Sequence, residues 1–133
     1  MPRRAGTSWP QLCKLGAALA GVTIDTWYGT PALKVGGKGF VRLKEDAATV
    51  VFVVDSLDTR DALIEARPEL YFITDHYRAY PAVLARLRDL PAAEARARVE
   101  HGWLNRASEA VITGGKSRQS AAVRARARGP RRR

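Results

Sequence analysis

The segment Trp27–Leu43, WYGTPALKVGGKGFVRL, constrains the fold of this chain more than any other stretch. Alternating apolar and basic residues flank a glycine pair, so the chain must double back as an antiparallel hairpin. If Gly36, Gly37 and Lys38 form a three-residue loop, Val35 faces Gly39 and Leu33 faces Val41. Leu33, Val35, Val41 and Leu43 then share one face, and Lys34, Phe40, Arg42 and Lys44 share the other. A two-residue Gly36-Gly37 turn would scatter these sets across both faces. The three-residue loop is the expectation, with Phe40 the one apolar residue left among cations.

The flanking elements follow from similar reasoning. Trp9 to Leu19 reads as a helix, with Ser8 as N-cap, Pro10 at an early position and Gly21 after its end. Leu12, Leu15, Ala18 and Leu19 are spaced for one apolar face. TIDTWYG is extended, and TVVFVVD is a continuous apolar strand expected to be covered on both faces. SLDTRDALIEARP is a helix capped by Ser56 or Asp58 and closed by Pro68. Leu70 to Thr74 is a strand, and DHYRAYP a loop. AVLARLRDL suits a helix by composition and a strand by alternation. From Ala92 to Ala107 a helix is expected, with Val99, Trp103 and Leu104 in its apolar stripe. Helices segregated from tightly connected strands indicate an α+β two-layer sandwich. Its antiparallel sheet would have five to six strands, covered by about three helices.

Charge divides the chain sharply. Of 23 basic residues, eight lie between 113 and 133 (Lys116, Arg118, Arg124, Arg126, Arg128, Arg131, Arg132 and Arg133), where there is no acid. The other 112 residues carry 15 basic and 13 acidic side chains. The expected organisation is a single domain over 1–112 followed by a disordered basic tail over 113–133. Such a tail suits non-specific contact with phosphates. No apolar run is long enough for a membrane helix, so no membrane association is expected. A single cysteine, Cys13, excludes an internal disulfide, and a reducing cytoplasmic setting is expected. The N-terminus lacks the apolar core of a secretory signal.

Catalysis and metal binding find no foothold. His76 and His101 are the only histidines, and neither these nor Cys13 has paired-ligand spacing. GGKG is too short for a phosphate-binding loop and lies in a hairpin. A non-enzymatic protein without cofactor is expected. Two groups of residues have a candidate binding role. Lys34, Lys38, Arg42 and Lys44, with Phe40, make a basic hairpin face, read against a merely solvated sheet face. Trp27, His76, Tyr77 and Tyr80, near Tyr28, could line a pocket, read against plain core packing.

WYGTPALKVGGKGFVRL, then YFITDHYRAYPAVLARL, then a helix ending EHGWLNRA resemble the MmcQ/YjbR family, over roughly Trp9 to Ala107. The marks are Gly29 and Pro31 after an aromatic, the Gly37-Lys38-x-Phe40 turn, and the run His76-Tyr77-x-x-Tyr80-Pro81. The resemblance implies an α+β domain laid out like the secretion chaperones, with AVLARLRDL as a strand. It also implies DNA binding, with the sheet hairpins as a double wing, and supplies no catalytic motif. The expected partner is DNA, contacted non-specifically through the basic hairpin and tail. The alternative is a chaperone-like protein-interaction module or homodimer; a small-molecule ligand at the aromatic group ranks behind both.

Overall fold

The computed structural model describes residues 6–114, and its first helix, α1 (Trp9–Ala17), starts at a reciprocal cap. The Gln11 N–H donates to the Ser8 hydroxyl, and the Ser8 N–H donates to Gln11 Oε1 at 2.8 Å. The chain continues through β1 (Val22–Trp27), β2 (Thr30–Val35), β3 (Lys38–Leu43) and β4 (Thr49–Val53) to α2 (Leu57–Ala66), which Ser56 caps. Then come β5 (Tyr71–Phe72), β6 (Ala82–Arg86), α3 (Ala92–Arg106) and α4 (Glu109–Gly114). Residues 115–133, which hold the basic residues expected to form the tail, lie outside the described residues.

The six strands form one antiparallel sheet in the order β1-β2-β3-β4-β6-β5, so the fold is α+β with an open sheet. Alternation sends Val50 and Phe52 of β4, and Val83 and Ala85 of β6, to the helical side. There they join Leu12 of α1, Val99 and Trp103 of α3 and the partly buried Leu63 and Ile64 of α2 in the main core. The Trp103 Nε1–H donates to the Ala20 carbonyl at 2.8 Å, tying α3 to the turn between α1 and β1. The opposite face carries a smaller cluster of Val51, Ala82, Leu84 and Tyr77. β4 is therefore buried on both faces, as its unbroken apolar run requires. AVLARLRDL splits into strand β6 and a 3-10 turn at Leu87–Asp89. The strand expected over Leu70–Thr74 shrinks to Tyr71–Phe72, because the chain turns into a 3-10 helix at Asp75–Tyr77.

The hairpin register corrects the expectation. Val35 pairs with Lys38, so the turn has two residues, Gly36 and Gly37, at φ +60° and +79°. Lys34 pairs with Gly39 but Leu33 pairs with Val41, which leaves Phe40 as an extra residue in β3. This β-bulge reconciles the short turn with the hydrophobic pattern. Val41 and Leu43 still face the helices, and Phe40 does too, fully buried beneath α3. A Cβ added to Gly102 would lie 3.0 Å from the Phe40 ring, so a larger residue there would make the ring give by a few tenths of an ångström. Phe40 is not on a solvated basic face.

Phe40→Ala should therefore cost about 3–5 kcal/mol, read as a lowered denaturant midpoint with unchanged slope. A loss below about 0.5 kcal/mol, as at an exposed position, would contradict the bulged register.

Candidate functional site

The smaller face of the sheet is covered by the loop between β5 and β6, and a buried cation holds that loop down. Arg60 of α2 is 7 % exposed, and its Nη1 donates to the carbonyls of Tyr77 (3.4 Å), Arg78 (2.7 Å) and Tyr80 (3.3 Å). An aliphatic replacement would leave carbonyls unmatched, so a loop without extended regular structure is fixed from below. Arg78 and Asp75 close the same turn with an ion pair.

Held this way, Tyr77 packs on Val51, Ala82 and Leu84 and presents its hydroxyl to Arg42. Arg42 Nη2 donates to that hydroxyl at 2.8 Å, and Nη1 donates to Thr30 Oγ1 at 3.0 Å. Nη1 also approaches the Glu45 carboxylate, at a longer 3.4 Å. Arg42 is only 6 % exposed. Burial acts to lower its pKa, but the hydrogen bond and charge of Tyr77, with the charge of Glu45, outweigh it and raise the pKa. The guanidinium is thus a fixed cation.

Aromatic rings surround it. The Tyr28 ring lies 5.5 Å from the Arg42 guanidinium carbon and stacks on Trp27, with centroids 5.6 Å apart at 22°. The Trp27 ring in turn lies on Gly39, where any Cβ would collide with it. Tyr28 adopts φ +56° in a two-residue turn with Gly29, a conformation that costs a non-glycine residue roughly 1 kcal/mol or more. It is nevertheless 78 % exposed, so apart from its contacts with Trp27 and Arg42 little packing offsets that strain. On the far side His76 and Tyr80 each meet the Tyr77 ring edge to face and are tilted to one another, with centroids 4.9–6.3 Å apart.

Together these side chains enclose an open cup of about 410 Å³, lined by Trp27, Tyr28, Arg42, Glu45, His76, Tyr77, Tyr80 and Arg106. Its floor is Val51, Val53 and Ala82. The volume lies within the roughly 300–1,000 Å³ of small-ligand sites. A larger, shallower groove of about 880 Å³ runs past Trp9, Lys44, Phe72, Arg86 and Arg88. Lys44 joins the two, since it lines the groove and sits 5.7 Å from the Tyr77 ring. A further concavity of about 650 Å³ between α1 and α3 lacks aromatic walls.

The structure thus gathers Trp27, His76, Tyr77 and Tyr80 in one cavity and disperses the basic hairpin face. Lys38 is exposed at the Gly-Gly turn. Lys34 is partly buried and pairs with Asp25 at 3.9 Å. Lys44 is partly buried beside Glu45 at 3.8 Å. Arg42 is a buried member of the cup instead of a surface cation. Lys116, Arg118, Arg124, Arg126, Arg128, Arg131, Arg132 and Arg133 lie outside the described residues. Sequence reasoning missed Arg60, Arg86, Arg88 and Arg106. For Arg86 the signal was the i, i+2 alternation with Leu84 that follows once AVLAR is a strand, whereas Arg88 lies in the 3-10 turn, where that alternation ends. His101 does not line the cup but sits in a separate notch with Asp55, Arg98 and Asn105, where burial lowers its pKa. Burial likewise raises the pKa of the Cys13 thiol, away from nucleophilic use. Among the described residues no group of three or more His, Cys, Asp or Glu comes together to hold a metal ion.

The YjbR family model matches residues 17–105, a span that includes every sheet strand and all of the cup except Arg106. This chain belongs to the YjbR family. It is also similar to two mycobacterial members of the curated proteins, the uncharacterized protein Rv2570 of Mycobacterium tuberculosis and the uncharacterized protein Mb2600 of Mycobacterium bovis. Each is 35 % identical over 51 residues, 38 % of this chain. The match spans about two fifths of the length of those relatives (40 %). No solved structure matches the chain to a significant degree.

Tyr77→Phe removes the acceptor of Arg42 Nη2 while preserving the ring. It is expected to cost about 1–3 kcal/mol, measured by chemical denaturation. A variant as stable as the parent would show that Arg42 does not depend on that hydroxyl.

Proposed function

We propose that this YjbR-family protein is a non-enzymatic nucleic-acid-binding protein that stacks an unpaired base in the cup and runs the attached backbone along the adjoining groove. The observation that carries this reading is the continuity of an aromatic cup with a cationic groove through Lys44. Single strands are recognised by rings on which bases stack, beside cations that follow the phosphates. Tyr28 and Tyr80 supply exposed faces, at 78 % and 54 % exposure. The strained backbone of Tyr28 is the kind of local cost found at binding sites. Arg86 and Arg88 extend the cationic track, although Asp46 and Asp89 temper it.

The charge distribution of the whole chain favours an acidic polymer over a neutral ligand. The eight basic residues of 113–133 follow α4 directly and have no acid among them. Their contribution would be affinity without sequence preference, since counterion release depends on phosphate density alone. Unpaired strands fit better than a duplex gripped by a basic wing, because Lys34 and Arg42 of that wing are engaged by Asp25 and Tyr77.

Fluorescence anisotropy with a short single strand and its duplex tests this reading. The single strand is expected to bind more tightly. Tyr28→Ala and Tyr80→Ala should each weaken it by about 1–3 kcal/mol. Changing the eight basic residues of 113–133 to Gln should reduce the salt slope by up to about 6. Equal binding of duplex and single strand, unaffected by Tyr28→Ala, would refute it.

A further inference from the structure

The inner end of the cup holds more cationic character than base stacking needs. Arg106, the last residue of α3, lines it together with Arg42. Arg106 Nε is buried and has no hydrogen-bond partner among the described residues. A buried guanidinium nitrogen without an acceptor is costly, and such donors in folded proteins are normally matched. Arg42 spends three contacts on Tyr77, Thr30 and Glu45, fewer than the five N–H donors of a guanidinium. Two guanidinium groups therefore line one concave site: Arg42, with donors to spare, and Arg106, whose Nε is closed off from solvent while its side chain lines the cup.

Glu45 is the only acid of that lining. Its carboxylate reaches Arg42 at a long 3.4 Å while its side chain stays 66 % exposed. A hydrogen bond from its own backbone, then Arg42 and Lys44, hold its pKa below the usual carboxylate range, so it stays anionic near neutrality. It occupies one flank of Arg42 without burying itself there. An anion with better geometry, brought in by a stacked ring, can take that position and release Glu45 to water. With Lys44 also beside Glu45, the local balance remains cationic.

Resting on the nucleic-acid reading above, we infer that the cup is a terminal-nucleotide site: the base stacks between Tyr28 and Tyr80, and a phosphomonoester replaces Glu45 on Arg42 and pairs with Arg106. A phosphomonoester carries close to two charges at neutral pH, whereas an internal phosphodiester carries one, so two guanidiniums match a chain end or a free nucleotide better than mid-strand. On the side of Val51, Val53 and Ala82 the lining is apolar, so a continuing backbone has a cationic track past Lys44 alone and one end of the strand stops in the cup.

Isothermal titration of the full chain tests this with hexadeoxyadenylate bearing a 5′-phosphate, a 3′-phosphate or neither, and with AMP against adenosine. A phosphate at one end is expected to tighten oligonucleotide binding about tenfold or more, as charge-assisted hydrogen bonds would, and AMP to exceed adenosine by a similar factor. Arg106→Met should abolish the preference without lowering the melting temperature, since it deletes an unmatched donor. Glu45→Gln should enlarge it. If all three oligonucleotides bind equally, and AMP binds no better than adenosine, the terminal-phosphate site is wrong while strand binding stands. If AMP shows the Arg106-dependent preference but no oligonucleotide binds, the site is a mononucleotide site and the nucleic-acid reading falls. If Arg106→Met fails to fold, the phosphate-against-hydroxyl comparison and Glu45→Gln still decide.

Discussion

The extra residue in β3 decides what each side of this sheet can do. With a two-residue turn and no bulge, Leu33 would face Phe40, and every later residue of β3 would change sides. Val41 and Leu43 would leave the core, and Arg42 would be driven under the helices. The bulge at Phe40 keeps three apolar side chains of β3 in the main core and delivers Arg42 to the other face. There it meets Tyr77, a residue 35 positions away in the chain. The core and the cup therefore depend on the same local irregularity, which is typical of bulges that re-aim a side chain next to a site.

Two buried arginines do complementary work on that face. Arg60 holds the β5–β6 loop by its carbonyls, and Arg42 holds the loop's tyrosine by its hydroxyl. Burying a guanidinium is tolerated only where its donors find acceptors, and each of these has several. The outcome is a loop-built wall anchored to α2 and to the sheet by buried hydrogen bonds. Tyr28 and Tyr80 then stand exposed at the rim of the cup.

Much of the scaffold was legible in the residues. The Ser8 and Ser56 caps, the apolar run of β4 and the Ala-rich pattern of α3 report on local physics, and the structure follows them. The hairpin was read incorrectly because a regular ladder can satisfy the Gly-Gly turn or the apolar pattern but not both. Only an inserted residue satisfies the two, and nothing in the letters around Phe40 signals it. The cup was half legible. Trp27, His76, Tyr77 and Tyr80 stood out as aromatics in loops and turns. Arg42 looked like one of a row of surface cations, since its burial depends on Tyr77 across the sheet. Arg60 and Arg106 resemble ordinary helix-surface arginines, and their roles arise from tertiary placement alone.

In the function proposed above, the open face of the sheet, and not the hairpin tip or the helical side, receives the ligand. The most direct measurement is a two-dimensional amide NMR titration of the full chain with a short single-stranded oligonucleotide. The largest shifts are predicted at Tyr28, Arg42, His76 and Tyr80, with a second set at Lys44, Arg86 and Arg88. Shifts centred on Lys38 and the Gly36-Gly37 turn, or on the groove between α1 and α3, would contradict it.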